Sequence, residues 1–220
     1  MTATNQSEPD VEKTLADIRA TLKTSDIPAV FEAMRPSPHY LETSWSRYRT
    51  LMERGALDRQ SKEFIGLATA VAKSSGYMIA FQRDRLARMG VEAAEVVEAL
   101  AVADFFEGFD AFAHALHVDS ELRPRRLMAG DFSLVDKEIE VNVPYVKEPQ
   151  DSTVQRVYGE IKETFGIPFV PNIFKTLAHC PAALEAKWEG YKAIMLRGKV
   201  PRLTKEMVAI AVSAVNGCFY

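Results

Sequence analysis

The sequence predicts an all-α fold made of two similar helical units in tandem. Three observations predict it. Nearly every periodic apolar pattern has helical spacing, a central stretch lacks that spacing, and the sequence after this stretch repeats the sequence before it. The 220 residues suffice for one large domain or two small ones. We place a disordered N-terminus at 1–10, unit one at 11–118, a linker at 119–151 and an incomplete unit two at 152–220.

The first two predicted helices begin at N-terminal signals. Ser7 is the expected N-cap of the first helix, with Pro9 in its first turn. The second starts at Pro38 after a Ser37 cap and stops at Gly55. Their apolar stripes are Val11, Leu15, Ile18 and Leu22 in the first helix, and Leu41, Trp45, Tyr48 and Leu51 or Met52 in the second.

Three more helical segments complete unit one. "DRQSKEFIGLATAVAKSSG" ends at Gly76, "YMIAFQRDRLARMG" ends at Gly90, and "VEAAEVVEALAVADFFEGFDAFAHALHV" supplies a long last helix. Residues 119–151 then lack helical periodicity and hold three prolines, which predicts a linker longer than a normal loop. Within it, "KEIEVNV" alternates weakly and is compatible with a short strand.

The second unit repeats the first at a shift of 143 residues. Residues 27–63 lie on residues 170–206 without a gap, and the register carried on to Tyr77 and Tyr220 gives 15 identities in 51 positions. Roughly three would be expected by chance at ordinary amino-acid usage. The matched pairs include Phe31 and Phe174, Trp45 and Trp188, Tyr48 and Tyr191, and Lys62-Glu63 and Lys205-Glu206. The repeat therefore defines the two units.

Composition narrows the classes of function. The net charge of −3 argues against a nucleic-acid partner, which would require a basic face. The polar N-terminus has no apolar signal region, and no apolar run approaches the ~20 residues of a membrane span. Two cysteines 38 positions apart define no disulfide framework. We therefore expect a cytoplasmic protein without nucleic-acid or membrane partners.

Glu206 and Cys218 are the candidate catalytic residues. They are twelve positions apart, about 18 Å on an unbroken helix, but the break at Asn216-Gly217 would let the chain fold back. A cysteine at the start of a new helix would have its thiolate stabilised by the helix dipole, and a carboxyl group beside it could carry protons. The alternatives are a small buried cysteine and an exposed helix glutamate.

The segment "KEMVAIAVSAVNGCFY" resembles the active-site segment of the alkylhydroperoxidase AhpD / carboxymuconolactone decarboxylase family. "FGIPFVPNIFKTLAHCPAALEAKWEGYKAIMLRGKV" is similar to that family's lead-in, and "ARMGVEAAEVVEALAVADFFEGFDAFAHAL" to its closing helices. The resemblance implies that Glu206 is the proton-relay acid and Cys218 the resolving cysteine. The peroxide-attacking residue would fall at position 221 and a relay histidine at 225, both after Tyr220.

Unit one keeps the acid of this set but not the thiols. Glu63 is in place, whereas Ser75 stands at the first cysteine position, Met78 at the second and Gln82 at the histidine. We interpret unit one as a structural copy that packs against unit two. Cys180 aligns with Ser37 at a helix N-cap, and we interpret it as a cap or loop residue.

A second polar constellation lies on the last helix of unit one. Glu107, Asp110, His114 and His117 share one face, a spacing that can ligate a divalent metal. Phenylalanines 105, 106, 109 and 112 fill the other sides, so we favour a solvent face or a subunit contact for this stripe. We predict no metal and no cofactor.

The family resemblance implies a thiol-dependent peroxidase for hydrogen or organic hydroperoxides, regenerated by an external dithiol and assembled as a homo-oligomer. The alternatives are a carboxymuconolactone decarboxylase-like lyase and a non-catalytic oligomerising scaffold. By the 143-residue shift, unit two would run to about position 260, so we expect the 220-residue chain to be incomplete and inactive alone. A UGA-encoded selenocysteine after Tyr220, a nonsense mutation, a cloning boundary and a fragmentary gene would each explain this.

Overall fold

The computed structural model describes residues 9–118, 120 and 143–218, and every regular element among them is helical. The helices are α1 (Val11–Leu22), α2 (Ala29–Glu32), α3 (Pro38–Glu53), α4 (Arg59–Ala72), α5 (Gly76–Arg88), α6 (Ala93–Leu116), α7 (Ser152–Phe165), α8 (Asn172–Leu177), α9 (Pro181–Met195) and α10 (Arg202–Asn216). The predicted all-α fold is confirmed. None of these helices is long and apolar enough to cross a membrane. The weak strand and most of the N-terminus and linker fall outside the described residues.

Two predicted helix boundaries are wrong. The N-cap of α1 is Asp10, whose carboxylate accepts a hydrogen bond from the backbone N–H of Lys13 at 3.0 Å, whereas Ser7 lies outside the described residues. Gly76 begins α5 instead of ending α4. Ser74 takes the left-handed conformation (φ 52°), and the N–H of Ser75 closes the last turn of α4, so the helix already ends before the glycine.

The chain forms two compact units that do not coincide with the two sequence repeats. The first is Met1–Leu67 with Gly76–Val91, and the second is Ala68–Ser75 with Glu92–Tyr220. The division differs from the repeat because α6, the last helix of the first repeat, packs against α10. In the first compact unit, α1 and α3 form a core with α2. Its buried members are Leu15, Ile18, Leu22, Phe31, Leu41 and Trp45.

The structure repeats as the sequence does. Helices α1 to α4 have counterparts in α7 to α10, which extends the repeat to the N-terminal helices. Trp45 Nε1 donates to the carboxylate of Asp17 at 2.7 Å, and Trp188 Nε1 donates to that of Glu160 at 2.8 Å. Since these bonds join equivalent positions 143 residues apart, the repeat preserves side-chain geometry as well as helix order.

Candidate functional site

A cavity of about 570 Å³ lies in the second compact unit, with walls from α6, α8, α9, α10 and the end of α7. Its aromatic lining is Phe106, Phe109, Phe165, Phe174 and Tyr191. Its ionisable and hydroxyl groups, apart from Tyr191, are Asp110, Glu206, Ser213 and Cys218, and the other lining residues are proline, alanine or isoleucine. A concave apolar site with a few polar groups is the usual form of a small-molecule pocket.

Glu206 and Cys218, which the sequence paired, both line this cavity. Glu206 is in the second turn of α10, and Cys218 follows the end of the same helix. Gly217 adopts the left-handed conformation (φ 69°), and the N–H of Cys218 donates to the carbonyl of Ser213 at 3.0 Å. This C-terminal cap turns the chain at the predicted break, so that both side chains reach one cavity. Their catalytic role stays a prediction.

The carboxylate of Glu206 is neutralised by a neighbouring arginine. Arg202 Nε donates to Glu206 Oε1 at 2.7 Å, and the same guanidinium donates to the hydroxyl of Tyr191 at 2.6 Å. Burial raises the pKa of Tyr191, so its hydroxyl stays protonated at neutral pH. The side chain of Glu206 is 39% exposed. It is therefore held in place and still open to the cavity, as a proton carrier must be.

Asp110 is the buried acid of the cavity. It is only 5% exposed, and its carboxylate accepts hydrogen bonds from Ser213 Oγ at 3.0 Å and Asn216 Nδ2 at 3.2 Å. The interpretation of its helix face as solvent-exposed is therefore wrong at this residue, because α10 packs on α6 there. His114 and His117 are exposed. No three potential metal ligands come together among the described residues.

The end of α10 receives a second charged contact from the first repeat. The ammonium of Lys73, which follows α4, donates to the carbonyl of Val215 in the last turn of α10. Asp110 holds the side chains of the same turn. Sequence reasoning missed both residues as parts of the site, because the repeat alone does not indicate that the first copy supplies side chains around Cys218.

The equivalent place in the first compact unit is filled by protein. Glu63, the counterpart of Glu206, is fully buried and pairs with Arg59 at 2.7 Å and Arg85 at 3.7 Å. Gln82 of α5 lies so close to Gly66 of α4 that an added Cβ would come within 2.5 Å of its amide nitrogen. Both repeats carry the arginine–glutamate ion pair, but Glu63 is fully buried whereas the side chain of Glu206 is 39% exposed, which favours the interpretation of unit one as a structural copy.

The two cysteines lie in different surroundings. Cys180 is exposed at the N-cap of α9, as predicted, and makes no side-chain capping bond. Cys218 is half-buried at the cavity wall. Neither is in a disulfide among the described residues. A bulky, polar thiol reagent should therefore modify Cys180 faster than Cys218.

The helical arrangement is that of the AhpD-like proteins. It is similar to a crystal structure from Burkholderia xenovorans, described as a gamma-carboxymuconolactone decarboxylase subunit, with a TM-score of 0.63 over 94% of this chain and 77% of that one. At 16% identity this likeness shows the fold alone. Residues 38–121 match the model of the carboxymuconolactone decarboxylase family. The resemblance seen in the sequence is confirmed at the family level.

A curated relative extends over both repeats. The (R)-2-haloacid dehalogenase of Pseudomonas putida is 23% identical over 200 residues, which cover 86% of this chain. The chain spans 66% of the length of that relative. An alignment of that extent must include α6, the helix that carries Asp110.

Proposed function

We propose that the cavity is the site of a thiol-dependent peroxidase in which Cys218 is redox-active and Glu206 carries protons. Family membership supports an AhpD-like or a carboxymuconolactone decarboxylase-like function. The observation that carries the finer proposal is the convergence of Glu206 and Cys218 on one cavity. A half-buried thiol and an open carboxylate on the wall of one cavity suit a step that needs both a sulfur nucleophile and a proton donor.

In the proposed reaction, Cys218 is the resolving thiol that the family resemblance implies. The attacking thiolate or selenolate, implied three residues later, breaks the O–O bond of the hydroperoxide. The alcohol leaves with a proton supplied through Glu206, and the nucleophile becomes a sulfenic or selenenic acid. The Cys218 thiol then attacks that atom, the bond between the two atoms forms, and the thiol proton leaves with the hydroxyl group as water. An external dithiol returns two electrons and two protons by exchange.

The test is hydroperoxide consumption by the protein expressed from its own gene, in cells able to insert selenocysteine, with dihydrolipoamide as reductant. We expect turnover of cumene hydroperoxide that Cys218→Ser abolishes. Cys180→Ser is the matched control and should keep the wild-type rate, because its thiol is outside the cavity. A Cys218→Ser protein with unchanged turnover, or a wild-type protein with none, would reject the proposal.

A lyase is the second candidate, and the family description and the crystal structure's description favour it. Decarboxylation of a muconolactone that Cys218→Ser leaves unchanged would establish it in place of the peroxidase.

Hydrolysis of a 2-haloacid is a third candidate, since the dehalogenase similarity covers both repeats. There the buried carboxylate of Asp110 would take a proton from the water that displaces halide. Halide release that Asp110→Asn abolishes would identify that reaction.

A further inference from the structure

We infer that Asp110 makes the cavity select uncharged aryl ligands and reject anionic ones. This inference deepens the proposed function, on which it rests for the statement that the substrate is a neutral aryl hydroperoxide. Asp110 belongs to the first repeat, whereas the proposed redox residue, Cys218, belongs to the second. A residue of one repeat would thus control the specificity of a site in the other.

The wall of the cavity carries negative charge without a lining cation. Asp110 and Glu206 line it, and no lysine, arginine or histidine is among the described lining residues. The guanidinium of Arg202 lies next to the wall, but it is engaged by Glu206 and the Tyr191 hydroxyl. Glu206 is therefore compensated, and Asp110 is the charge that an entering anion would oppose.

Two cations lie close to the cavity without lining it: Lys73, whose ammonium donates to the carbonyl of Val215, and Lys187. The ammonium of Lys187 is 4.2 Å from the ring centroid of Phe105 and 4.4 Å from that of Phe109. It also donates to the carbonyl of Phe105 at 3.4 Å. Since the two rings and this carbonyl already occupy the ammonium, it offers a bound anion no direct contact within the cavity.

Asp110 cannot move away from a ligand. Ser213 donates to one carboxylate oxygen and Asn216 to the other, and both donors belong to the last turn of α10. Each carboxylate oxygen therefore has a donor of its own. A fixed, 95% buried charge acts on a ligand through a medium of low effective dielectric constant, so like charges several ångströms apart change affinity by roughly tenfold or more.

The remaining wall provides the attraction for a neutral ligand. Five aromatic side chains surround the cavity, and its volume of about 570 Å³ is within the range of small-molecule sites. Aromatic rings bind an aryl group by edge and face contacts in addition to the burial of apolar surface. A cumyl group supplies such a body, and a carboxylate at its para position adds a negative charge to it.

The experiment compares two alcohols, which are the products of the matched hydroperoxides. Binding of 2-phenyl-2-propanol and of 4-(2-hydroxypropan-2-yl)benzoate to the purified wild-type chain is measured by calorimetry. We expect the uncharged alcohol, 2-phenyl-2-propanol, to bind at least tenfold more tightly than the alcohol that carries the carboxylate. In Asp110→Asn the carboxylate should gain about tenfold relative to the alcohol, because the opposing charge is gone and the acceptor for Ser213 remains. Asp104→Asn, an exposed acid on the same helix, should leave the ratio unchanged.

A second measurement does not depend on the stability of the variant. Raising the salt concentration with wild-type protein should improve binding of the carboxylate and leave that of the alcohol unchanged, because salt screens repulsion between charges. Equal affinities for the two ligands, or a ratio that Asp110→Asn does not alter, would overturn the inference.

Turnover of the two hydroperoxides separates the inference from the function. If both compounds are left intact while the binding ratio holds, the peroxidase proposal fails and the selectivity of the cavity stands. If both are reduced at equal efficiency, the peroxidase stands and the role of Asp110 fails.

Discussion

At the scale of single residues, Glu160 shows how the repeat concentrates charge in its second copy. Its carboxylate accepts hydrogen bonds from Lys192 Nζ at 2.7 Å and from Trp188 Nε1 at 2.8 Å, and Arg156 pairs with it at 2.6 Å. The hydrogen bond from Lys192, followed by those from Trp188 and Arg156, lowers its pKa to about 2 against the opposing effect of burial. The carboxylate therefore stabilises the fold only while it is ionised.

This pKa predicts an acid-dependent loss of stability. The unfolded pKa of a glutamate is about 4.3, so the contribution is fully present above that value and is lost as the pH falls toward about 2. Glu160→Gln should lower the free energy of unfolding by about 2 kcal/mol at pH 7, allowing for solvent screening, and by almost nothing at pH 2. Urea unfolding in a Trp45→Phe background, in which Trp188 alone reports, measures this difference.

The control is Glu163→Gln, which removes an exposed carboxylate from the same helix. It should change the free energy of unfolding by less than about 0.5 kcal/mol at either pH. A Glu160→Gln effect of equal size at pH 7 and pH 2 would contradict the assignment of the stabilisation to the ionised carboxylate.

At the scale of elements, the turns after α3 and α9 have the same backbone conformation but different neighbouring side chains. Gly55 and Gly198 have φ values of 103° and 105°, a backbone conformation that residues other than glycine rarely adopt. Beside Gly198, the carboxylate of Glu98 accepts from the backbone N–H of Lys199 at 2.9 Å and pairs with the buried ammonium of Lys205. A Cβ added at Gly55 would meet only the tip of Lys62, at 4.0 Å.

Alanine substitution at the two turns should therefore differ in cost. Both variants incur the same φ strain, but a Cβ at Gly198 would lie 2.0 Å from Glu98 Oε1 and would displace a carboxylate bound to a buried lysine. We expect Gly198→Ala to lower the free energy of unfolding by about 3 kcal/mol more than Gly55→Ala. The fluorescence of Trp188 follows the unfolding of Gly198→Ala, and that of Trp45 follows the unfolding of Gly55→Ala. Equal losses would show that Glu98 yields without cost.

Helix positions were predictable from the sequence, whereas some of their ends were not. Apolar stripes located α1 and α3, and Gly55 and Gly90 are in left-handed conformations next to helix ends as predicted. Gly76 misled the prediction because a serine can also adopt the left-handed conformation when the backbone hydrogen bonds of the last turn close on it. The sequence does not reveal whether Ser74 or Gly76 ends the helix.

At the scale of the whole molecule, the repeat predicted the second copy of the site but not its neighbours. The pairing of Glu206 with Cys218 followed from spacing, the helix break and a family resemblance, all of which are local in sequence. Asp110 and Lys73 reach the end of α10 across more than 100 residues. Such contacts depend on which helices pack together, and a repeat predicts packing within each copy only.

The homo-oligomer that the family resemblance implies remains a proposal, and the exposed apolar residues of α10 give it a test. Leu203 and Ile210 are 61% and 60% exposed and lie two turns apart on one face. Light scattering should give a multiple of the monomer mass, and Leu203→Glu should weaken association at least tenfold, since a charge would be buried at an apolar contact. Leu51→Glu, an equally exposed leucine on α3, is the matched control. A monomer at every concentration would contradict the proposal.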